Sequence, residues 1–594
     1  MTAHDVVIQY EERLRQLHLG IEQLRLPHAL AATVLTIAIG LFLALSLYAI
    51  RGQVSILWPS LPISIAAMSA QRLQKTRQAR SRIWRLKLFY DRAVRRVNGD
   101  WAGSKASGEI FDDPDHVYAR DLTIFGEGSL FQLLNVTRTS IGQRGLANYL
   151  LVAPALEETL MRQEAVRELR GRVDLREKIA TLGEFDFVES KWTTFEDWLN
   201  SDTLSFPLYL PIAAAMTSGL LAGLLLVGYA ALIPWAPLAI LIGMLVIFHA
   251  GVGWFFRDRV NRMVDWVRPV ALETGVLREG FEVLTGEQFQ SVKLRQLADQ
   301  VRSASAKIRR LERLLGALAQ RDKEWFYLVS RVLLGGTQLC VAIEQWRVQH
   351  GEALKKWLEA WAEFEALNAL AGYGYENPDN AFPELVSDEA CFEARALGHP
   401  LLPEESCVRN DIELGNRASF YIVSGSNMAG KSTLLRSIGL NAVLGLAGAP
   451  VRAGALRLSN LSIFASLSIV DSLQNGKSKF LAEVDRLRLA IEVAAKKPVL
   501  FLVDEIFSGT NSRDRRVAGE AVVRTLVHRG AIGVLSTHDL ELTEIAKAED
   551  MRGVNVHMGS RDGRDPMDFD YRLKPGVTNE TNALAIARMA GVPV

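Results

Sequence analysis

Gly425-Ser426-Asn427-Met428-Ala429-Gly430-Lys431-Ser432-Thr433 spells G-x-x-x-x-G-K-[ST]. A short apolar run, Ser419–Val423, leads into it and an apolar helical stretch from Leu434 follows. In that strand–loop–helix setting the glycines let backbone N–H groups turn inward onto phosphate oxygens, and the helix N-terminus favours the negative charge. Lys431 supplies a point charge to the β- and γ-phosphates, and the Ser432 hydroxyl is placed to ligate Mg²⁺. All nine residues are therefore candidates to cradle ATP. Downstream, Pro498–Val503 is an apolar strand ending in Asp504-Glu505. Asp504 suits the Mg²⁺ shell, and Glu505 suits the orientation or deprotonation of an attacking water. A third strand, Ala531–Ser536, ends at Thr537-His538, where His538 can sense the γ-phosphate.

Strands alternating with helices around these motifs predict a mostly parallel sheet covered on both faces, an α/β fold of P-loop NTPase type. Upstream the pattern is helical. Leu294, Leu297, Val301, Ala304, Ile308, Leu311, Leu315 and Leu318 alternate spacings of three and four, the seam of one long helix. Such a helix reads equally as a lever arm or as a bundle core.

With 594 residues the chain is long enough for three or four domains. A net charge of +1 excludes an overall basic field, so any nucleic-acid surface has to be local. Cys340, Cys391 and Cys407 lie far apart, without the spacing of a zinc site or a disulfide framework. The high apolar content is concentrated. Ala29–Ile50 is 22 residues without a charge, long enough to cross a hydrocarbon core as a helix. Val54–Ala70 is a second uncharged stretch, interrupted by Pro59 and Pro62, that reads as a return or re-entrant segment. Phe206–Phe256 reads as two further spans, Pro207–Ala231 and Leu238–Phe256, joined by a turn at Pro234-Trp235-Ala236-Pro237. About four transmembrane helices in two hairpins are thus expected. Ten basic residues against one acid between Arg72 and Arg96, and Arg257, Arg259 and Arg262 after the second pair, put the long soluble stretches on the cytoplasmic side. The basic run reads either as a local DNA-binding patch or, favoured by its position beside the spans, as a juxtamembrane anchor on anionic lipid headgroups.

Several words go beyond a generic phosphate loop. Gly425–Thr433 with Asn427 and Met428, Asp504-Glu505-Ile506-Phe507-Ser508-Gly509-Thr510, Thr537-His538-Asp539-Leu540-Glu541-Leu542-Thr543, and Tyr571-x-Leu573-x-x-Gly576 followed by Ala590-Gly591-Val592-Pro593 resemble the MutS family of DNA mismatch-repair ATPases. His399-Pro400-Leu401-Leu402 and Asn410–Leu414 are similar to family words upstream. The sequence departs from the usual loop at Ser426 and Ala429, both small. The resemblance implies that Ser478, in the loop Asp471–Glu483, reaches the ATP of a neighbouring subunit, hence a homodimer with composite sites, and that DNA is the partner. A looser likeness, Asp121-Leu122-x-x-Phe125-Gly126, Thr137-x-Thr139-x-x-Gly142 and Arg162-Gln163-x-Ala165-Val166, looks like the start of the family's helical core. The family's mismatch-reading domain, with its Phe-x-Glu wedge, has membrane spans in its place here. Phe187-Val188-Glu189 spells the tripeptide but within the helical core.

These readings divide the chain into a cytoplasmic N-terminal segment (1–28), a first transmembrane hairpin (29–70), a basic juxtamembrane linker (71–110), helical core (111–206), a second hairpin (207–256), helical core and lever (257–395) and an ATPase domain (396–594). The implied function is a membrane-anchored, ATP-dependent DNA-binding protein at the inner face of the cell membrane. Two other readings stay open. An ABC-type transport ATPase also joins such heads to membrane helices, but Asn475-Gly476-Lys477-Ser478-Lys479 is not an L-S-G-G-Q signature and the spans are few. A membrane scaffold switched by ATP, with no nucleic acid, suits the near-zero charge.

Overall fold

The computed structural model describes residues 2–55, 57–183, 193–201, 206–207, 209–229, 234–320, 333–387, 389–426, 428–467, 479–508, 510–561 and 568–578. Ser478 and Phe187-Val188-Glu189 lie outside them. The chain is multidomain and rich in helix, with two sheets in its C-terminal part.

Three helices open the chain: α1 (Ala3–Gln23), α2 (Arg25–Ile50) and α3 (Ser60–Val97). The later part of Val54–Ala70 forms the first turns of α3. Pro59 caps α3 and Pro62 sits in its first turn, where a missing N–H leaves no helical bond unmade. The prolines therefore start a helix, and α3 runs on for 38 residues through the basic run. Short helices α4 (Leu130–Leu134), α5 (Ser140–Leu151), α6 (Leu156–Arg170), α7 (Val173–Ala180) and α8 (Thr193–Asn200) precede an apolar pair, α9 (Leu210–Tyr229) and α10 (Trp235–Phe255). The expected turn at Pro234–Pro237 is instead the first turn of α10, with Pro234 as its cap. Among the described residues three helical stretches are long and apolar enough to cross a membrane by length and composition, Ala3–Ile50, Leu210–Gly228 and Trp235–Phe255, where four were expected. They present large side chains such as Ile37, Leu41, Ile247 and Phe248 outward.

The arm continues through α11 (Arg257–Gly286), α12 (Val292–Val301), α13 (Ala304–Ala319) and the 42-residue α14 (Gly335–Glu376). All eight residues of the heptad seam are buried, yet they lie on two helices. The Arg302 N–H reaches Asp299 O, tightening the last turn of α12, and α13 restarts at Ala304 without losing the seam. Small residues bring the arm's helices close. A side chain at Gly145 on α5 would overlap the backbone of Ala362 on α14, and one at Gly280 on α11 would overlap the Trp361 ring. The far end of α14 meets the N-terminal helices. Arg96 forms a buried bidentate pair with Glu376, at 2.8 and 2.5 Å, and the Tyr10 ring lies 5.2 Å from Tyr90 and 6.0 Å from Tyr375.

Beyond α14 come β1 (Glu384–Val386), β2 (Phe392–Leu397), β3 (Asn410–Leu414), β4 (Phe420–Ser424), α15 (Lys431–Leu446), β5 (Ala455–Ser459), β6 (Ser462–Ser466), α16 (Lys479–Ala494), β7 (Val499–Asp504), α17 (Ser512–His528), β8 (Ile532–Thr537), β9 (Gly553–His557) and β10 (Lys574–Pro575). A small sheet runs β1-β5-β2-β3. The larger one runs β10-β9-β4-β8-β7-β6, parallel except for β10. Its central strands β4, β7 and β8 are almost wholly buried, as near-continuous apolar runs require when helices cover both faces. Their register sets Ser424 beside Thr537 and Asp504 beside Ser536, so the three strands end at one edge.

Candidate functional site

The carboxyl edge of β4, β7 and β8 is where ligands sit in open parallel sheets, because the loops there are free of the ladder and helix N-termini point at it. The Gly425–Thr433 loop leaves β4 at that edge. Gly425 and Gly430 have φ of 152° and 96°, values that a side chain would strain. A Cβ on Gly425 would also run into the carbonyl of Met558, and one on Gly430 would meet the Tyr571 ring at 2.9 Å. Met428, at φ 71°, takes a left-handed conformation without being glycine and is 69% exposed. Ala429 is buried, and Asn427 lies outside the described residues.

Lys431 opens α15 and is 5% exposed. Its ammonium donates to the carbonyls of Gly425 and Ser426, at 2.8 and 2.9 Å, so the side chain folds back over the loop it belongs to. Burial pulls its pKa below the ordinary lysine value, while Asp504 and Glu505 pull the other way. Thr433, next on the helix after Ser432, is exposed.

The Ser432 hydroxyl donates to one oxygen of Asp504, and the Ser536 hydroxyl donates to the other. Asp504 is thus brought to the phosphate-loop helix, the pairing its expected role requires. Beside it, Glu505 accepts or shares a proton with His538 Nδ1 at 2.9 Å, so the two residues proposed for catalysis are in direct contact. Glu505 has φ 54° and Phe507 φ 53°. Two left-handed non-glycine residues in one turn are costly, and such strain persists only where neighbours hold it. The Glu483 carboxylate on α16 accepts the Phe507 N–H, which is one such hold.

The donor set fits a magnesium-bound triphosphate. Ser426 Oγ is buried in the loop with no partner among the described residues, an acceptor or donor left for something else. Ser432 and Asp504 place a hydroxyl and a carboxylate oxygen together, the hard oxygen ligands that Mg²⁺ takes. Among the described residues no group of three or more His, Cys, Asp or Glu forms a separate metal site.

Three residues at this edge escaped sequence reasoning. Ser536 is the last residue of an apolar strand, and its only signal was its place just before Thr537-His538. Tyr571 stood in a family-like word without a role, yet its ring lies over Gly430 and its carbonyl accepts from Asn410 Nδ2 at 3.1 Å. Glu483 sits early in α16, with nothing in its spacing to mark it.

The sequence matches the family described as MutS domain V over residues 421–594. It is 29% identical over 285 residues to the DNA mismatch repair protein MutS of Thermus caldophilus, covering 47% of this chain and 33% of that protein. Against the DNA mismatch repair protein MutS of Thermotoga petrophila it is 26% identical over 314 residues, 52% of this chain and 36% of the relative. The DNA mismatch repair protein MutS of Thermus aquaticus is 28% identical over 285 residues, with coverage of 47% and 33%. The chain thus spans about a third of the length of these relatives.

Proposed function

We propose that this chain is a membrane-anchored ATPase of the MutS type, acting on DNA from the cytoplasmic face as a homodimer. The observation that carries the ATPase part is the contact of Ser432 with Asp504, with Glu505 and His538 paired beside it at the same strand edge. Magnesium ATP bound here supplies a γ-phosphoryl group open to attack by water. Lys431 trades its two loop carbonyls for phosphate oxygens, and Gly425, Ser426, Asn427, Met428, Ala429, Gly430 and Thr433 contribute backbone amides. Ser432 and Asp504 would hold the cation. Glu505 orients the water and takes its proton, while His538 fixes the carboxylate from behind and responds to charge at the γ-phosphate. Ser478 of a second subunit completes the site under the family likeness.

The DNA part is supported by the relatives' printed function and by the match over the ATPase segment. The membrane part is supported by the three apolar stretches and by the basic run that follows the first pair. The helical arm between them serves as the lever that passes ATP-driven changes from head to anchor. Purified full-length protein in detergent tests all of this. Lys431→Ala should abolish phosphate release, and mismatched, branched or plain duplex DNA should raise the wild-type rate. A wild-type rate indifferent to every DNA form would overturn the nucleic-acid part and favour the ATP-switched membrane scaffold. A Lys431→Ala protein as active as wild type would overturn the site.

A further inference from the structure

We propose that Asp121 is a positioning residue for ATP hydrolysis, holding the Glu505 turn in register through α16 although it belongs to the helical half of the chain. The proposal rests on the ATPase reading above.

Asp121 is 2% exposed, and three residues of the head bond to it. One carboxylate oxygen accepts the Leu467 N–H at 2.7 Å, and the other accepts Arg486 Nη2 at 2.6 Å. Its carbonyl accepts Arg436 Nε at 3.1 Å. Each partner sits one step from the chemistry. Arg436 follows Ser432 by one turn on the same face of α15. Leu467 is the residue after Ser466, which pairs with Val503 in the strand register, so it lies level with Asp504. Arg486 is on α16, three residues after Glu483, whose carboxylate holds the Phe507 N–H in the strained turn that begins at Glu505.

The neighbourhood of Asp121 is built into the head as well. The Ala465 N–H donates to Val117 O at 3.1 Å, so the segment lies along the edge strand β6. Arg486 also donates to Ala465 O at 2.7 Å. Leu122 is fully buried against Gly439 of α15, where any larger side chain would collide with it. A buried carboxylate desolvated against an arginine and a backbone amide is costly unless all its bonds are kept, which makes it a stiff joint. Loosening it frees α16 to shift, and a shift of α16 moves the Glu505 turn while leaving the phosphate loop's own contacts intact. Asp121 therefore bears on the step after binding.

Full-length Asp121→Asn, Asp121→Glu, Arg486→Gln and the double variant Asp121→Asn/Arg486→Gln test this, with steady-state hydrolysis and binding of a fluorescent ATP analogue as readouts. Asp121→Asn should lower kcat by about tenfold, as small misplacements at an active site do, with analogue affinity within about twofold of wild type. Asp121→Glu should recover part of the rate. The double variant should lose no more than the worse single variant, because both break one link. Wild-type kcat in a folded Asp121→Asn protein, a parallel loss of affinity, or additive losses would overturn the proposal. Should Asp121→Asn not fold, Arg486→Gln decides alone, and wild-type kcat there overturns it. A wild type with no Lys431-dependent hydrolysis would instead overturn the ATPase reading and carry this proposal with it.

Discussion

In the α/β head, Asp504 stands half-buried at the end of β7 with the hydroxyls of Ser432 and Ser536 on its two oxygens. In the helical arm, Glu365 stands in the C-terminal half of α14, with the Thr139 hydroxyl on one oxygen and the Arg138 N–H on the other at 2.5 Å. The polar company is alike, and the access differs. Asp504 opens onto the edge where a nucleotide would lie. Glu365 is sealed among helices, and burial, with Glu273 nearby, pushes its pKa up to about 7 despite the bonds from Thr139 and Arg138. Glu273 also reaches the same place from α11, accepting the Ser140 N–H at 3.1 Å. The N-terminus of α5 is thus gripped by carboxylates from two long helices. Bond partners alone do not mark a working carboxylate; a path for the ligand does.

The largest effect that sharpens this contrast belongs to the head. Glu505→Gln should cut hydrolysis by about two orders of magnitude or more while nucleotide still binds, the loss expected for a general base. Single-turnover phosphate release beside analogue binding measures both. The arm should answer in stability instead. Gly280→Ala forces a methyl into the Trp361 ring, and overpacking of that kind costs about 1–3 kcal/mol, seen as a lowered Tm with hydrolysis per folded molecule little changed. Smallest is the titration of Glu365. Its folded pKa is raised above the ordinary 4.5, so the folded state holds the proton more tightly than the unfolded one. Stability is then fullest in acid and declines as pH rises through the window from about 4.5 to about 7. Glu365→Gln should remove that decline in Tm measured on both variants at about pH 5 and about pH 8. Equal slopes in the two proteins would return Glu365 to ordinary packing.

The head was more legible than the arm because its chemistry demands particular residue types at particular spacings. A phosphate loop needs glycines that approach backbone closely and one lysine, so Gly425, Gly430 and Lys431 stand out in the sequence by type as well as by spacing. Burial in the arm needs only apolar volume, so the seam from Leu294 to Leu318 reported which side chains go inside and not that the helix breaks at Arg302. Proline misled twice for one reason. Pro59, Pro62, Pro234 and Pro237 read as breakers, and a helix's first turn has no use for the N–H they lack. Asp121 and Glu483 were invisible as partners of the site because their meaning comes from tertiary contacts, across more than 300 residues for Asp121 and across 24 for Glu483, which no local pattern encodes.

One geometric consequence follows from α14. Forty-two residues of uninterrupted helix make a rod of about 63 Å. Its foot is clasped to the amino-terminal helices through Arg96, and near its tip Ser218 of α9 donates to Leu333 O. A swivel of about 5° at the foot would sweep the tip sideways by about 5 Å, so the rod's stiffness turns a barely visible rearrangement at one end into a displacement as wide as a helical turn at the other.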